Sequence, residues 1–157
     1  MKLNIGCGDL LLPGYLNCDM YVDCDLQFDA RKVPFEDNSI EEIASYHLIE
    51  HFDFKEAFDV LSEWYRVLIP GGRLYIETPN FLETCRAFVN ADEQERIALY
   101  QQFFAVPWIP GQCHKFLYTE TQLKWTLEVC KFKNISTKPA LRYIGIEYLM
   151  LGMEGFK

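Results

Sequence analysis

A short apolar segment that runs directly into two glycines constrains this chain more than any other feature. Residues 2–5 are Lys-Leu-Asn-Ile, and Gly6, Cys7 and Gly8 follow at once. An apolar run that ends in Gly-x-Gly is typical of a buried parallel strand whose carboxyl end lets a ligand touch the backbone, because a Cβ there would block the approach. The segment therefore predicts an α/β fold with a nucleotide-like ligand at the end of its first strand.

The spacing beyond this turn argues against a dinucleotide cofactor. The dinucleotide fingerprint has a third glycine three residues after the second, and Leu11 occupies that position. The fingerprint also has an acidic residue about 20 residues further on, whereas Asp19 follows much sooner. NAD is therefore disfavoured, and a simple glycine turn stays open as an interpretation of this segment taken alone.

Composition and charge limit the class of protein. Half of the 157 residues are apolar and 15% are aromatic, which predicts one globular domain over residues 1–157 with a substantial core. The net charge of −8 repels phosphate backbones and anionic lipid headgroups, so neither nucleic acid nor a membrane is expected as a partner. No apolar run approaches the roughly 20 residues of a membrane span, and no charged-then-apolar leader opens the chain, which predicts a cytoplasmic location.

Cysteine usage gives no sign of a metal or redox site. The six cysteines stand at positions 7, 18, 24, 85, 113 and 130, and they form no Cys-x-x-Cys pair. Zinc ribbons and redox motifs use such pairs, so neither is expected. The cysteines are predicted to be reduced, mostly buried thiols, as is usual in the cytoplasm.

Periodicity and turn residues predict an alternation of strands and helices. Asp53 with Glu56 forms a helix N-terminal cap, and Thr119 with Gln122 forms a capping box. The connections among the first three strands are too short for helices, because a parallel crossover usually takes a dozen or more residues. Strands are expected over residues 2–5, 15–19, 22–28, 40–46, 73–77, 134–139 and 142–149, the last two as an antiparallel pair, and helices over residues 53–70, within 81–104 and over 119–130.

Five blocks, taken in order along the chain, resemble a known family. The blocks are residues 3–8, Asp19, Asp29 with residues 33–39, residues 45–51 and residues 66–74. Together they are similar to the class I S-adenosylmethionine (SAM)-dependent methyltransferases. The resemblance runs from residue 2 to about residue 80, and residues 114–132 resemble a later helix of the family. It implies a Rossmann-like α/β fold with a mostly parallel seven-stranded sheet and an antiparallel last strand, here lacking the helices after strands 1 and 2.

The resemblance also implies roles for ten residues. Asp19 would bind both ribose hydroxyls, since a carboxylate accepts both of their protons. Taken alone, Asp19 and Asp29 could instead be turn-forming carboxylates. The implied cofactor-binding set is Gly6, Cys7 and Gly8 beneath the methionine part of SAM, Asp19 with the adjacent Met20, Asp29 and Ala30 at the adenine, and Tyr46 beside the sulfonium. A hydroxyl acceptor would need a general base, and His47, near the implied cofactor, and His114, in the loop most able to close over it, are the catalytic candidates. Either histidine could instead be a structural hydrogen-bonding residue.

The implied activity is methyl transfer from SAM to a small-molecule acceptor, and two alternatives stay open. The chain could bind SAM, or pair with itself, without turnover, since the fold is shortened. Alternatively, His47-x-x-Glu50-His51 matches the H-x-x-E-H string of zinc hydrolases, in which two histidines on one helical face bind zinc. Glu120 or Glu128 could supply a third ligand there, and apart from this string no metal site is expected.

Two departures from the family pattern have structural consequences. Lys131 stands where the family usually has glycine before Phe132, and a positive φ at that position costs about 1 kcal/mol. The absent helices leave one face of the sheet bare, and a mostly parallel sheet is expected to be apolar on both faces. Either residues 81–110 or a second copy of the chain, in a homodimer, is expected to cover that face.

Overall fold

One mixed sheet of seven strands organises the part of the chain that the structure describes. The computed structural model describes residues 1–106, 108–109, 111–141 and 147–157. β1 to β5 pair in parallel, and β7 runs antiparallel to both of its neighbours, β5 and β6. The predicted Rossmann-like sheet with an antiparallel last strand is confirmed. The strands are β1 (Lys2–Ile5), β2 (Leu16–Asp19), β3 (Leu26–Gln27), β4 (Ile40–Tyr46), β5 (Leu68–Pro79), β6 (Lys133–Lys138) and β7 (Met150–Phe156), in the spatial order β3-β2-β1-β4-β5-β7-β6.

Four α-helices connect or flank the strands within the described ranges. They are α1 (Phe54–Val67), α2 (Phe81–Asn90), α3 (Glu93–Phe104) and α4 (Glu120–Val129), and two 3₁₀ turns lie at Ile49–His51 and Glu147–Leu149. The fully described connections from β1 to β2 and from β2 to β3 contain no helix, as predicted. No helix among the described residues has the length and apolar character needed to cross a membrane.

Capping boxes start the helices where the sequence predicts them. The Asp53 carboxylate accepts hydrogen bonds from the backbone N–H groups of Lys55 at 2.9 Å and Glu56 at 2.8 Å. The Glu56 carboxylate in turn accepts from the Asp53 backbone N–H at 3.0 Å. Thr119 makes the same reciprocal arrangement at the start of α4. Each box satisfies backbone donors that a helix leaves without partners at its first turn.

The main core lies on the face of the sheet that α1 and α4 cover. Alternate strand residues such as Leu3, Ile43 and Leu74 point to this face and are fully buried together with Trp64 of α1 and Leu123 of α4. The same alternation sends the residues between them to the opposite face. The two faces of the sheet therefore differ in chemistry, although the strands are mostly parallel.

The opposite face carries a ladder of ion pairs that crosses five strands. Glu42 on β4 binds Lys2 on β1 at 2.8 Å and Arg73 on β5 at 2.6 Å. Arg73 also binds Glu154 on β7 at 3.0 Å, and Glu154 binds Lys138 on β6 at 2.8 Å.

The expectation that both faces are apolar is therefore only partly right. Charged side chains share this face with a buried apolar cluster of Ala44, Tyr46 and Tyr75. Among the described residues, the segment between β1 and β2 covers this cluster with Leu10, Leu12 and Tyr15, and residues 81–110 do not contribute to it.

Three strands differ from the sequence prediction. One is β5, which runs over Leu68–Pro79 rather than residues 73–77, so α1 ends at Val67 rather than near residue 70. β3 is only Leu26–Gln27 rather than residues 22–28, and β7 is Met150–Phe156 rather than residues 142–149. Residues 142–146 lie outside the described ranges, and Glu147–Leu149 forms a 3₁₀ turn.

β7 contains Gly152 and Gly155, and because glycine is unfavourable inside strands, the sequence pattern does not predict a strand there. Yet a Cβ on Gly152 would come 2.6 Å from the Lys138 carbonyl oxygen and 2.9 Å from the Tyr75 hydroxyl, so close packing requires glycine there.

Candidate functional site

A cavity of about 920 Å³ opens where β1, β2 and β4 end. Nine of the ten residues that the sequence predicts for the site line it, namely Gly6, Gly8, Asp19, Met20, Asp29, Ala30, Tyr46, His47 and His114. The carboxyl ends of parallel strands meet at one edge of a sheet, which is why residues far apart in sequence converge here. The far side of the cavity includes residues of α3 and the segment after it, such as Gln101, Gln102 and Ala105, which the sequence did not predict.

Cys7 is the predicted site residue that does not line the cavity. Its side chain is only 1% exposed, and burial, followed by repulsion from Cys24 and Asp19, raises the pKa of the thiol to about 12. Its backbone N–H donates to the Cys18 carbonyl at 3.0 Å, as does that of Gly6 at 2.8 Å. These bonds fix the turn against β2, so Cys7 contributes to the shape of the turn rather than to the cavity wall.

The two glycines of the turn are required for different reasons. Both have a positive φ, of 71° at Gly6 and 51° at Gly8, which glycine adopts without penalty. A Cβ on Gly6 would come 2.7 Å from the Leu48 side chain, whereas a Cβ on Gly8 would meet nothing within 4 Å. Gly6 therefore allows close packing inside the protein, and Gly8 leaves the backbone open on the cavity side.

Two carboxylates shape the cavity at the ends of β2 and β3. Asp19 accepts hydrogen bonds from the backbone N–H groups of Gly8 at 3.0 Å and Tyr21 at 2.8 Å, and it thereby ties the glycine turn to the end of β2. Asp29 accepts from the backbone N–H of Arg31 at 2.9 Å and from its guanidinium at 2.7 and 3.0 Å. Hydrogen bonding from Arg31 lowers the pKa of Asp29, so this carboxylate is ionised at neutral pH.

His47 lies between two carboxylates that have no exposed surface. Its Nδ1 is 3.2 Å from Glu50 Oε1, and its Nε2 is 3.4 Å from Glu77 Oε1. Burial by itself lowers the pKa of His47, but the hydrogen bonds and attraction of Glu50 and Glu77 outweigh it and raise the pKa to about 9. His47 is therefore a cation at neutral pH, held with a φ of 53° directly after β4.

Glu77 is a residue that sequence reasoning missed. It ends the apolar run of β5, and its Oε2 accepts hydrogen bonds from the Tyr75 hydroxyl at 3.1 Å and the Leu141 backbone N–H at 2.7 Å. Glu77 is an acidic residue near the end of a buried strand beside β4. The same pattern predicts Asp19 as a site residue, so it could have predicted Glu77 as well. Its burial depends on residues far away in sequence, which local patterns do not reveal.

His51 and His114 stand together on the other side of Glu50. Their ring centroids are 5.0 Å apart. The Nδ1 atom of each ring lies 3.1 Å from a backbone carbonyl oxygen, that of Cys113 for His51 and that of Gln102 for His114. Burial lowers the pKa of His114 despite attraction from Glu50, which favours the neutral ring.

The zinc-hydrolase reading of His47-x-x-Glu50-His51 does not agree with this geometry. His47 is held by Glu50 and Glu77, whereas His51 is on the 3₁₀ turn and faces Cys113. The histidine and carboxylate ligand atoms that converge among the described residues belong to Glu50, His51 and His114. Neither His47 nor a glutamate of α4 belongs to that group, so the two histidines of the string do not form the expected pair.

Sequence comparisons agree with the geometry of the cavity. A family model described as a methyltransferase domain matches residues 18–76. A probable tRNA methyltransferase 9B from Mus musculus is 33% identical over 121 residues, which cover 76% of this chain and 23% of that protein. A ubiquinone/menaquinone biosynthesis C-methyltransferase from Desulfotalea psychrophila is 49% identical over 45 residues, which cover 29% of this chain and 18% of that protein. The chain spans less than a quarter of the length of these relatives.

Solved structures share the fold at low sequence identity. A SAM-dependent methyltransferase from Archaeoglobus fulgidus has a TM-score of 0.68 and 16% identity, covering 99% of this chain and 85% of that one. A SAM-dependent methyltransferase from Thermotoga maritima, described as a possible histamine N-methyltransferase, has a TM-score of 0.66 and 15% identity, covering 99% and 81%. The family model over residues 18–76 and the shared fold together support a SAM-dependent methyltransferase domain. They imply SAM as its cofactor.

The size and the lining chemistry of the cavity would fit SAM. The cavity volume of about 920 Å³ lies within the range of roughly 300–1,000 Å³ that is usual for such ligands. Gly8 leaves the backbone open on the cavity side, and the carboxylates of Asp19 and Asp29 stand at successive strand ends along its wall. Carboxylates at such positions suit the hydroxyl and amine donors of an adenosine group.

Proposed function

We propose that residues 1–157 form one domain that transfers a methyl group from SAM to an acceptor bound in the same cavity. The observation that carries this proposal is the convergence of Gly8, Asp19, Asp29 and Tyr46 on one cavity at the strand ends. SAM supplies an electrophilic methyl group when bound. The protein's own contribution is to hold the reactants in line and to exclude water.

The cofactor is held by the turn and by the strand-end carboxylates. Gly6 and Gly8 lie beneath its methionine part. Asp19 accepts the two ribose hydroxyl protons. Its oxygens already accept from Gly8, Tyr21 and Val22, so one acceptor position is open, and the long 3.4 Å contact from Val22 is the one that a ribose hydroxyl would replace. Met20, beside Asp19, also contacts the ribose. Asp29 and Ala30 receive the adenine edge.

His114 and His47 have different roles in this scheme. His47 is a poor general base, because Glu50 and Glu77 keep its ring protonated. His47 instead lies next to Tyr46 at the end of the cavity that receives the acceptor, and it helps to position the acceptor there. His114 is the better base, since its Nδ1 faces the Gln102 carbonyl and must carry the proton, which leaves the Nε2 lone pair available.

A small molecule is the favoured acceptor class, and a tRNA is the second candidate. The net charge of −8 disfavours a polyanion. The tRNA candidate has one specific support, the 33% identity to a probable tRNA methyltransferase over 121 residues. The two classes are separable because tRNA binding that depends on phosphate contacts weakens steeply as salt increases.

Methyl transfer from isotopically labelled SAM tests the proposal. The purified chain is incubated with small hydroxyl, amine and activated-carbon acceptors in one arm and with total tRNA in the other. Label in a small product supports the favoured acceptor, and label in tRNA supports the second. SAM binding without label in any acceptor would leave the chain a binding module, and absence of SAM binding would remove the proposal.

A homodimer and a cytoplasmic location stay predictions. The dimer was expected to cover an apolar face of the sheet, and two observations weaken this reason: the ion-pair ladder on that face, and the cover that Leu10, Leu12 and Tyr15 give its apolar cluster. Light scattering over a wide concentration range measures the oligomeric state directly. A monomer at every concentration would eliminate the dimer.

A further inference from the structure

We infer that Glu50, His51 and His114 form a binding site for one divalent transition-metal ion at the edge of the cavity. One ligand atom from each residue lies within 4.8 Å of the other two. His51 and His114 also line the cavity that the proposed function assigns to SAM and its acceptor. The inference changes the proposed function in one respect, because an ion bound to His114 Nε2 occupies the lone pair that would otherwise act as the general base. It rests on the proposed function only for the use of the ion, whereas ion binding stands on the geometry of the three residues.

The two histidine rings are fixed in the tautomer that binds metal through Nε2. His51 Nδ1 lies 3.1 Å from the Cys113 carbonyl oxygen, and His114 Nδ1 lies 3.1 Å from the Gln102 carbonyl oxygen. A carbonyl oxygen only accepts hydrogen bonds, so each Nδ1 carries the proton and each Nε2 presents a lone pair. Histidines that ligate metals commonly donate their other N–H to a backbone carbonyl in this way.

Glu50 supplies a buried oxygen that has no hydrogen bond of regular geometry among the described residues. The Glu50 side chain has no exposed surface, and its Oε2 accepts from the Thr78 hydroxyl at 3.0 Å. Its Oε1 has no hydrogen-bond partner of regular geometry, although His47 Nδ1 stands 3.2 Å away. A buried carboxylate oxygen in this state is unusual, because such atoms are nearly always satisfied.

The distances suit a bound ion after a small adjustment. Nitrogen and oxygen ligands sit at about 2.0–2.2 Å from a zinc ion, so neighbouring ligand atoms lie roughly 3–4 Å apart. His114 Nε2 is 3.9 Å from Glu50 Oε1, which is within this range. The widest spacing in the group, within 4.8 Å, would need to contract by about 1 to 2 Å to enclose one ion.

The backbone holds these residues together without an ion. The N–H groups of Lys115 and Phe116 both donate to the Glu50 carbonyl, at 2.8 and 3.2 Å. The segment that carries His114 is thereby attached to the residue that supplies the carboxylate. His51 follows Glu50 in the 3₁₀ turn, and its N–H donates to the Leu48 carbonyl at 3.0 Å. The three ligands are thus positioned in advance, which reduces the cost of assembling a site.

The local charge also favours a cation. Glu50 and Glu77 are both fully buried, and His47 lies between them. The carboxylate of Glu50 therefore lies where a positive charge is favourable, and His114 Nε2 approaches the same oxygen, Oε1, at 3.9 Å.

Ligand type selects the class of ion. Two imidazoles with one carboxylate suit Zn²⁺, Fe²⁺ or Mn²⁺, whereas Mg²⁺ and Ca²⁺ prefer oxygen ligands. Three protein ligands leave coordination positions open, which is typical of catalytic rather than structural sites. These positions face the cavity, where an oxygen or nitrogen atom of an acceptor can occupy them.

Titration of the metal-free chain with Zn²⁺ by calorimetry, and with Co²⁺ by visible absorption, tests the site. We expect one ion per chain, with affinity reduced by about 100-fold or more in His51→Ala and in His114→Ala. Gln101→Ala is the matched control, since Gln101 lines the cavity but is outside the ligand group, and it should bind as the wild type does. The Co²⁺ spectrum distinguishes histidine ligands from cysteine thiolates, which give a strong charge-transfer band.

Other outcomes would overturn the inference. Absence of saturable binding by the folded wild type, a thiolate spectrum, or wild-type affinity in both histidine variants would each remove the site. Circular dichroism verifies that the variants are folded, and Glu50→Gln provides a third variant of nearly unchanged shape. Titration of SAM into the same metal-free chain separates the metal site from the proposed function. SAM binding without metal binding would remove only the metal site. Metal binding without SAM binding would remove only the proposed function.

Discussion

His47 Nε2 lies 3.4 Å from Glu77 Oε1, and the side chain of Glu77 has no exposed surface. A second buried carboxylate, Glu50, stands 3.2 Å from the other ring nitrogen. The strand that precedes His47 and the strand that ends near Glu77 are neighbours in the sheet, with Tyr46 paired to Glu77. A buried imidazolium therefore connects the ends of β4 and β5 beside the cavity.

The stability of the protein should depend on the protonation of His47. Its pKa is raised from 6.5 to about 9, so the stabilisation is complete below pH 6.5 and is lost as the pH rises towards about 9. The loss should be on the order of 3 kcal/mol. Urea unfolding at a series of pH values measures it.

Glu77→Gln separates this effect from other titrations. The variant removes one of the two anions that hold the proton, so the pKa of His47 should fall and the decline in stability should begin at a lower pH. Glu83→Gln is the control, because Glu83 pairs with Arg86 on an exposed helix surface. An identical pH dependence in wild type and Glu77→Gln would show that His47 is not the responsible group.

Lys131→Gly should stabilise the protein. Lys131 has a φ of 74°, as expected from the position where the family usually has glycine, and a side chain in this region costs about 1 kcal/mol. Unfolding free energies should therefore rise by about 1 kcal/mol. The same change at Lys32, which has no positive φ, should destabilise the chain. A loss of stability in Lys131→Gly would contradict the strain assigned to this residue.

Arg73→Ala should destabilise the protein far more than loss of an ordinary surface ion pair. Arg73 bonds to Glu42 at 2.6 Å and to Glu154 at 3.0 Å in the middle of the ladder. Its removal leaves two partly buried carboxylates without their shared cation, at a cost of about 1 to 3 kcal/mol. Arg86→Ala removes an exposed pair and should cost no more than about 0.5 kcal/mol. Similar values for the two variants in urea unfolding would mean that the ladder contributes little.

The two glycines of the first turn should respond differently to alanine. Gly6→Ala introduces a Cβ 2.7 Å from Leu48, so its main effect should be a loss of folding stability of about 2 kcal/mol or more. Gly8→Ala meets nothing within the protein, so its folding cost should be limited to the positive φ, about 1 kcal/mol. If Gly8 lies beneath SAM, its alanine variant should lose SAM affinity while it remains folded. Equal affinity in Gly8→Ala would place the cofactor elsewhere.

The elements that the sequence predicts correctly carry their signals locally. β4 ends at Tyr46 as expected, because an apolar segment after a turn needs no distant information. α1 starts after Asp53, where the capping residues are only three positions apart. The cavity residues could also be predicted, since parallel strands bring Asp19 and His47 to one edge of the sheet.

The features that escape prediction depend on contacts between distant segments. Gly152 looks unsuited to a strand, but the space beside it is taken by Tyr75 and Lys138. The ladder through Glu42 and Arg73 requires the register of the strands, which single-strand patterns do not provide. Glu77 is buried because Tyr75 and the segment near residue 141 surround it, and nothing in its own neighbourhood predicts those partners.

Calorimetric titration of SAM into the wild type and Asp19→Ala tests the central claim most directly. The variant should bind SAM more weakly by about 1.5 to 3 kcal/mol, roughly 10- to 150-fold, because it loses hydrogen bonds between a carboxylate and the ribose. Asp23→Ala, at an exposed position outside the cavity lining, should bind like the wild type. Unchanged affinity in Asp19→Ala, or a folded wild type that binds no SAM, would contradict the account.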